Sequence, residues 1–267
     1  MKILLTNDDG VYAQGIGAMR KALQGLGEVV VVAPDSERSG VGHSITLAHP
    51  LRVRNVYIDG ELFGYGVGGS PADCVKLAVM EIVKCQPRLV VSGINLGSNT
   101  GIHVLYSGTV AAAIEGAVLG IPSIALSLDV SGLPDLEYAA RVSRDIIEIL
   151  LRHDLPRASL LNVNFPSVKR EEIKGIRITK QYTYSFEESV DRRKDPGGKT
   201  YYWLVGGREI TVEEEGTDIE AIREGYISIT PLRYDLTHHE LMRKIGHWNW
   251  GQLGQHFMNS KFQGKET

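Results

Sequence analysis

Ile3-Leu4-Leu5-Thr6-Asn7-Asp8-Asp9-Gly10 is the stretch on which the fold of this chain turns. Three consecutive apolar residues are too few for a helix, and Asn-Asp-Asp-Gly closes them with turn chemistry. The run therefore predicts a short strand buried on both faces, as in a parallel sheet covered by helices. The same alternation continues outward. A helix is expected over about residues 15–26, with Met19, Ala22, Leu23 and Leu26 on one face. A second buried strand follows over 29–33, stopped by Pro34. Residues 51–58 and 62–67 flank Asp59-Gly60, the dipeptide of a hairpin turn. Ser70-Pro71 reads as an N-cap with proline at the first helical position, opening a helix to about residue 84. Strands over 89–92, 121–128 and 160–164 alternate with helices over 109–119 and 136–151. Strand, helix, strand repeated this way predicts an α/β fold: a Rossmann-like, mostly parallel sheet with helices on both faces, filling residues 1–175.

The pattern changes after residue 175. Two β-prone stretches, 176–184 and 199–205, enclose the charged segment 187–198 with Pro196-Gly197-Gly198 at its tip. This predicts a long projecting hairpin whose arms carry Tyr182, Tyr184, Phe186, Tyr201, Tyr202 and Trp203. Residues 225–230 read as a last strand ended by Pro231, so that 176–231 holds the hairpin and the final core elements. The remainder, 232–267, is rich in His, Trp, Asn and Gln without a clear period and reads as a C-terminal arm. No internal repeats are apparent.

Bulk properties narrow the function. With 267 residues, 43% apolar and 23% charged, the chain can bury a sizeable core. A formal net charge of −3 excludes a global basic field for nucleic-acid polymers, so a small phosphorylated ligand would need a local cation or a local set of donors. Two cysteines, Cys74 and Cys85, make neither a disulfide framework nor a zinc site and fit a reducing compartment. No apolar run approaches the roughly 18–20 residues of a membrane span, and the chain opens directly into its first strand. The expected location is cytoplasmic.

Four polar loops follow successive strands. In an open parallel sheet, ligands sit outside the carboxyl ends of the strands. Asp8 and Asp9 stand at the first such end, where two adjacent carboxylates repel and lose hydration unless a hard divalent cation joins them. The second loop is Asp35-Ser36-Glu37-Arg38-Ser39-Gly40-Val41-Gly42-His43-Ser44. The third is Gly93-Ile94-Asn95-Leu96-Gly97-Ser98-Asn99-Thr100-Gly101. The fourth, Tyr106-Ser107-Gly108-Thr109, opens a helix whose free N–H groups suit a phosphate. Gly15-Ile16-Gly17 raises a dinucleotide-binding turn as a rival. Arg20 stands where a third glycine is needed, however, and two acids would oppose a pyrophosphate.

Those loops together resemble the SurE (survival protein E) 5′-nucleotidase family over residues 1–240. The resemblance rests on Lys2 to Gly10, on Ala33 to Thr46, on Ser92 to Gly101 and on Tyr106 to Ala113. Asn162-Val163-Asn164-Phe165-Pro166, Gly216-Thr217-Asp218 and Gly225 to Leu232 extend it. No departure falls inside the four site loops, while the tail beyond residue 245 carries no family motif. The resemblance implies one divalent metal, Mg²⁺ or Mn²⁺, held by Asp8, Asp9, Ser39 and Asn95, all hard oxygen donors. It implies a phosphate bridging that metal to Ser107, Gly108 and Thr109, with Asn7 and Gly40 nearby. The implied reaction is hydrolysis of nucleoside 5′-monophosphates, extending to 3′-nucleotides and short polyphosphate, with Asp8 and Asp9 as the catalytic pair. Attack by water is favoured over an aspartyl-phosphate, because a metal-bound carboxylate is a poor nucleophile. A regulator that binds nucleotide or polyphosphate without turnover is the alternative. His43 and His103 lie in site loops as candidates for the general acid. Asp73 and Lys76 read as cap and surface residues, and Asp235 and His239 as a lock on the C-terminal arm. A homodimer or homotetramer is implied, through exchanged C-terminal segments and the hairpin, and no membrane partner.

Overall fold

Nine strands form one sheet in the order β3-β4-β2-β1-β5-β6-β7-β11-β8. The structure is a computed structural model that describes residues 1–153, 155–183, 187–208 and 214–250. It falls into two units, Met1–Leu232 and Arg233–Thr267. The strands of the first unit's sheet are β1 (Lys2–Thr6), β2 (Glu28–Pro34), β3 (Val53–Ile58), β4 (Glu61–Val67), β5 (Leu89–Leu96), β6 (Ser123–Leu128), β7 (Leu160–Phe165), β8 (Ile176–Ile178) and β11 (Ile227–Leu232). Pairing is parallel from β4 through β2, β1, β5 and β6 to β7, with β3 antiparallel at one edge and β11 antiparallel to β7 near the other. The α/β class and the mostly parallel sheet expected from the sequence are therefore present.

Successive side chains of a strand point to opposite faces, and the core divides accordingly. Ile3 and Leu5 of β1 pack with Ile16, Met19 and Leu23 of α1 (Gln14–Ala22) and its C-terminal turn, and with Ile146 and Ile147 of α4 (Leu136–Arg152). Leu4 points the other way, to Cys74 and Val75 of α2 (Pro71–Leu77) and Ala112 of α3 (Gly108–Val118). Asp59 and Gly60 both take positive φ, 52° and 82°, as a two-residue hairpin turn between β3 and β4 requires. Ser70 and Asp73 form a reciprocal capping box at the start of α2 with Pro71 at its first position. That helix ends at Leu77 in a π-helical turn, Ala78–Ile82, earlier than expected. Cys74 is buried in α2 and Cys85 lies exposed beyond it, both as free thiols.

The later segment differs from the sequence reading in five ways. β8 does not belong to the hairpin but pairs with β11 in the main sheet. The charged stretch is itself a strand: β9 (Glu187–Lys194) pairs with β10 (Thr200–Arg208) in a separate two-stranded sheet. Its charges do not forbid this, because Arg192, Arg193 and Lys194 stay exposed and keep their hydration. Tyr182 is buried and its N–H donates to Asp218, so it is no hairpin residue; Tyr184 and Phe186 lie outside the described residues. β11 runs through Pro231 to Leu232. The register with β8 ends at Ile229, so the missing N–H of Pro231 removes no bond on that side. Two helices went unread. α5 (Asp218–Arg223) is capped by Thr217, and α6 (His239–Gly246) lies in the second unit, in the supposedly aperiodic tail. Among the described residues no helix is long and apolar enough to cross a membrane.

Candidate functional site

The order of strands places the site. From β1 the chain moves outward one way to β2 and β4, and from β5 the other way to β6 and β7. The crevice at such a reversal lies between the carboxyl ends of β1 and β5. Asp8 and Asp9 leave β1 at that point, and Asn95 is the last residue but one of the neighbouring β5. A bulge between Ser92 and Asn95 shifts the β5–β6 register, so that Asn95 pairs opposite Ser127 at the mouth of the crevice.

Four loops are stitched together there. The Arg38 N–H donates to the Asp8 carbonyl at 2.8 Å, joining the second loop to the first. The Gly42 N–H donates to the Tyr106 carbonyl at 2.9 Å, joining the second to the fourth. The Thr109 hydroxyl donates to Asp8 Oδ1, joining the fourth loop to the first, and Gly15 of α1 packs on Ile94 of the third. α3 can approach this closely only because Gly108 has no side chain. A Cβ there would lie 2.7 Å from Asp8 Cβ and 3.0 Å from its Oδ2.

Burial lifts the Asp8 carboxyl above the ordinary carboxylate range, against the hydrogen bonds from Thr109 that pull it down. Burial also pushes Asp9 up, to about 6, with the neighbouring charges of Asp8 and Glu37 adding to the effect. Two partly desolvated acids side by side are what a divalent cation would relieve. The remaining donors suit one as well. Asn95 gives its Nδ2 to the Gly97 carbonyl at 2.7 Å, which leaves Oδ1 to face a cation. The exposed Ser39 gives its hydroxyl proton to Glu37 Oε1 at 2.7 Å, which leaves oxygen lone pairs. Among the described residues no group of three or more His, Cys, Asp and Glu side chains converges on a metal position. Two carboxylates, an amide oxygen and a hydroxyl are hard oxygen donors of the kind a divalent cation takes.

The phosphate candidates are placed unequally. Ser107 caps α3, accepting the Val110 N–H at 3.1 Å, and its own proton remains to donate. Thr109 is committed to Asp8. Asn7 is fully buried and exchanges two hydrogen bonds with Gly10, its Nδ2 to the Gly10 carbonyl and the Gly10 N–H to its Oδ1. Its side chain therefore holds the Asp-Asp turn. Gly40 is exposed with φ of 68°, a left-handed conformation that favours glycine. Of the two loop histidines, His43 meets Glu115 and His103 lies in the 3-10 turn Gly101–Leu105.

At 46% sequence identity and a TM-score of 0.79, the structure matches the crystal structure of SurE protein from Aquifex aeolicus, covering 92% of this chain and 98% of that one. The model of the family Survival protein SurE matches residues 3–188. The chain belongs to the SurE family. Relatives named 5′-nucleotidase SurE include one from Syntrophobacter fumaroxidans, 45% identical over 93% of this chain and 100% of its own length. A 5′-nucleotidase SurE 1 from Thermus thermophilus is 50% identical over 92% of this chain and 96% of its own.

Two motifs quoted for the resemblance, and two acids, shape this SurE site in ways that were not read from the sequence. Asn162 and Asn164 both donate to the Asn99 carbonyl, and Asn164 Oδ1 accepts the Asn99 N–H at 2.8 Å. Asp218 accepts the Gly101 and Tyr182 N–H groups at 2.8 and 3.0 Å. Both family motifs thus pin the loop that follows Asn95. Glu37 touches Ser39 from within a loop already singled out, and only its position beside that serine could have marked it. Glu115 had a clearer signal, as the sole charge in an otherwise apolar helix.

Proposed function

We propose that this chain is a metal-dependent phosphohydrolase that removes phosphate from nucleoside 5′-monophosphates. The observation that carries the reading is the pair Asp8–Asp9, raised by burial and set against the first turn of α3. The names of the relatives agree with it. Asp8, Asp9, Ser39 and Asn95 would hold one Mg²⁺ or Mn²⁺. When bound, that ion supplies Lewis-acid polarisation of the phosphoryl oxygens and acidifies coordinated water. The chain's own share is positional. Ser107 and the Gly108 N–H bind phosphate at the positive end of α3. Gly40 lets the backbone of the second loop come close, while Glu37 and Gly97 orient the Ser39 hydroxyl and the Asn95 amide. Thr109 fixes the Asp8 carboxylate, and Asn7 holds the turn that carries both acids.

The free thiols support a reducing, cytoplasmic setting. Exposed Val190, Tyr202, Trp203 and Leu204 on the β9–β10 hairpin support a homodimer or homotetramer, since apolar patches of that kind mark interfaces. The test is phosphate release from a panel of 5′- and 3′-nucleotides and short polyphosphate, with chelated protein and each divalent cation added back. Chelation should abolish release and Mg²⁺ or Mn²⁺ restore it. Full turnover in chelator with an empty site would sink the metal reading. Nucleotide binding without turnover under every cation would leave a binding module.

A further inference from the structure

Glu115 is 3% exposed in α3, two turns below Ser107, and two bases reach it. His43 Nε2 stands 2.9 Å from its Oε2, and Lys76 Nζ of α2 stands 2.6 Å from its Oε1. Burial alone would raise this carboxyl, yet the hydrogen bonds from His43 and Lys76 outweigh it and hold the group below its ordinary range. Stability does not account for such an arrangement, because apolar residues of similar volume usually serve a core equally well or better.

What the cluster does geometrically is fasten a loop. Residues 39–46 carry Ser39 and Gly40, pass through left-handed Gly40 and Gly42, and are largely exposed. Beyond the backbone tie from Gly42 to Tyr106, Ser70 Oγ donates to the Ser44 carbonyl at 2.6 Å, and the Thr46 N–H donates to Asp73 Oδ1 at 3.0 Å. Both of those ties lie toward the far end. Among the described residues, His43–Glu115 is the side-chain pair nearest Ser39 that anchors the loop to the helix opening at the phosphate seat. Between that anchor and Ser39 the loop keeps left-handed Gly40, while the Gly42 backbone tie and the His43 side chain hold its next turn against the same part of the chain.

We infer that Glu115 is a positioning residue which, through His43, sets Ser39 opposite Asp8 and Asp9 and so tunes the affinity of the site for its cation. The inference rests on Ser39 being a cation ligand, and the experiment separates the two. Mn²⁺ is titrated calorimetrically into chelated, full-length protein without substrate. His43→Ala should raise the Mn²⁺ Kd about tenfold, the lower end of what orienting partners of metal ligands contribute. Glu115→Gln should move it in the same direction, and His43→Gln, which keeps a donor, should restore most of the affinity. Lys76→Met removes the other base from Glu115 without touching the loop and should leave Kd within about twofold. Because His43 sits at the surface, His43→Ala folds even where Glu115→Gln does not. Wild-type affinity in His43→Ala, or an equal loss in Lys76→Met, overturns the inference. No Mn²⁺ binding by the wild type overturns the cation reading as well, and Ser39→Ala with unchanged Kd breaks the link through Ser39.

Discussion

Asp8 and Asp9 are neighbours in sequence with different surroundings. Asp8 is buried against Thr109, whereas Asp9 is half-buried beside the charges of Asp8 and Glu37. Replacing either by Asn removes charge that would stabilise the transition state, and kcat should fall about a hundredfold or more with the circular dichroism unchanged. The pH behaviour of Asp9 has a definite sign. Its folded value of about 6 lies above the unfolded 3.8, so between them the folded chain binds the extra proton. This group therefore adds to the stability of the metal-free protein as pH falls from about 6 toward 3.8, and that contribution is lost as pH rises through 6. Asp73 and Glu115, held low, act oppositely at lower pH, so the comparison must be with Asp9→Asn. Denaturant unfolding in chelator at pH 7 and pH 5 should show wild type gaining relative to the variant. Mn²⁺ affinity should run the other way, dropping below pH 6 because proton and cation compete for one carboxylate. A wild type and an Asp9→Asn variant with the same pH profile would refute both statements.

At the scale of elements, the glycines of α1 separate two explanations of one motif. Gly15 packs directly on the β5 bulge, and a Cβ there would fall 1.8 Å from the Ile94 carbonyl oxygen. Gly17 has nothing within 4 Å. A dinucleotide-binding turn would need both glycines for a ligand, but here one serves packing and the other is spare. Gly15→Ala should destabilise by about 1–3 kcal/mol or more, as overpacking does. Gly17→Ala, in a helix interior with open space, should stabilise by about 0.5–1 kcal/mol. Thermal or urea unfolding of the two variants checks this, and equal effects would contradict the close approach. The Gly15 contact also bears on the site, since Ile94 precedes Asn95 in the bulge that aims it.

For the whole molecule, the separate β9–β10 sheet raises the question of assembly. A lone two-stranded sheet is marginal in water, and this one leaves Trp203 60% and Leu204 86% exposed. Covering them with a second copy would stabilise both. Replacing residues 187–208 with a short linker should convert a tetramer to a dimer in light scattering and leave Mn²⁺ binding intact, because the site lies at the carboxyl ends of β1 and β5. A wild type that is strictly monomeric at micromolar concentration would refute assembly altogether.

Local signals made the parallel core legible from sequence. The apolar run Ile3-Leu4-Leu5, the Asp59-Gly60 turn and the Ser70-Pro71 cap each act within a few residues, and each appears where expected. That the four polar loops meet was legible for a related reason: topology alone sends strand ends to one side of a parallel sheet. Segments whose partners lie far away in sequence were not. Residues 176–178 find their partner in β11 rather than in a hairpin, and 187–194 pair as a strand despite their charge. Asn162 and Asn164 reach across more than sixty residues to Asn99, and Asp218 more than a hundred to Gly101. Glu115 meets His43 over a separation of 72 residues. Sequence determined which chemistry the chain carries, because residue type and local spacing fix donors, turns and caps. Only tertiary structure decided which of those groups support the others, because buried polar atoms must be satisfied by whatever partners folding brings within reach.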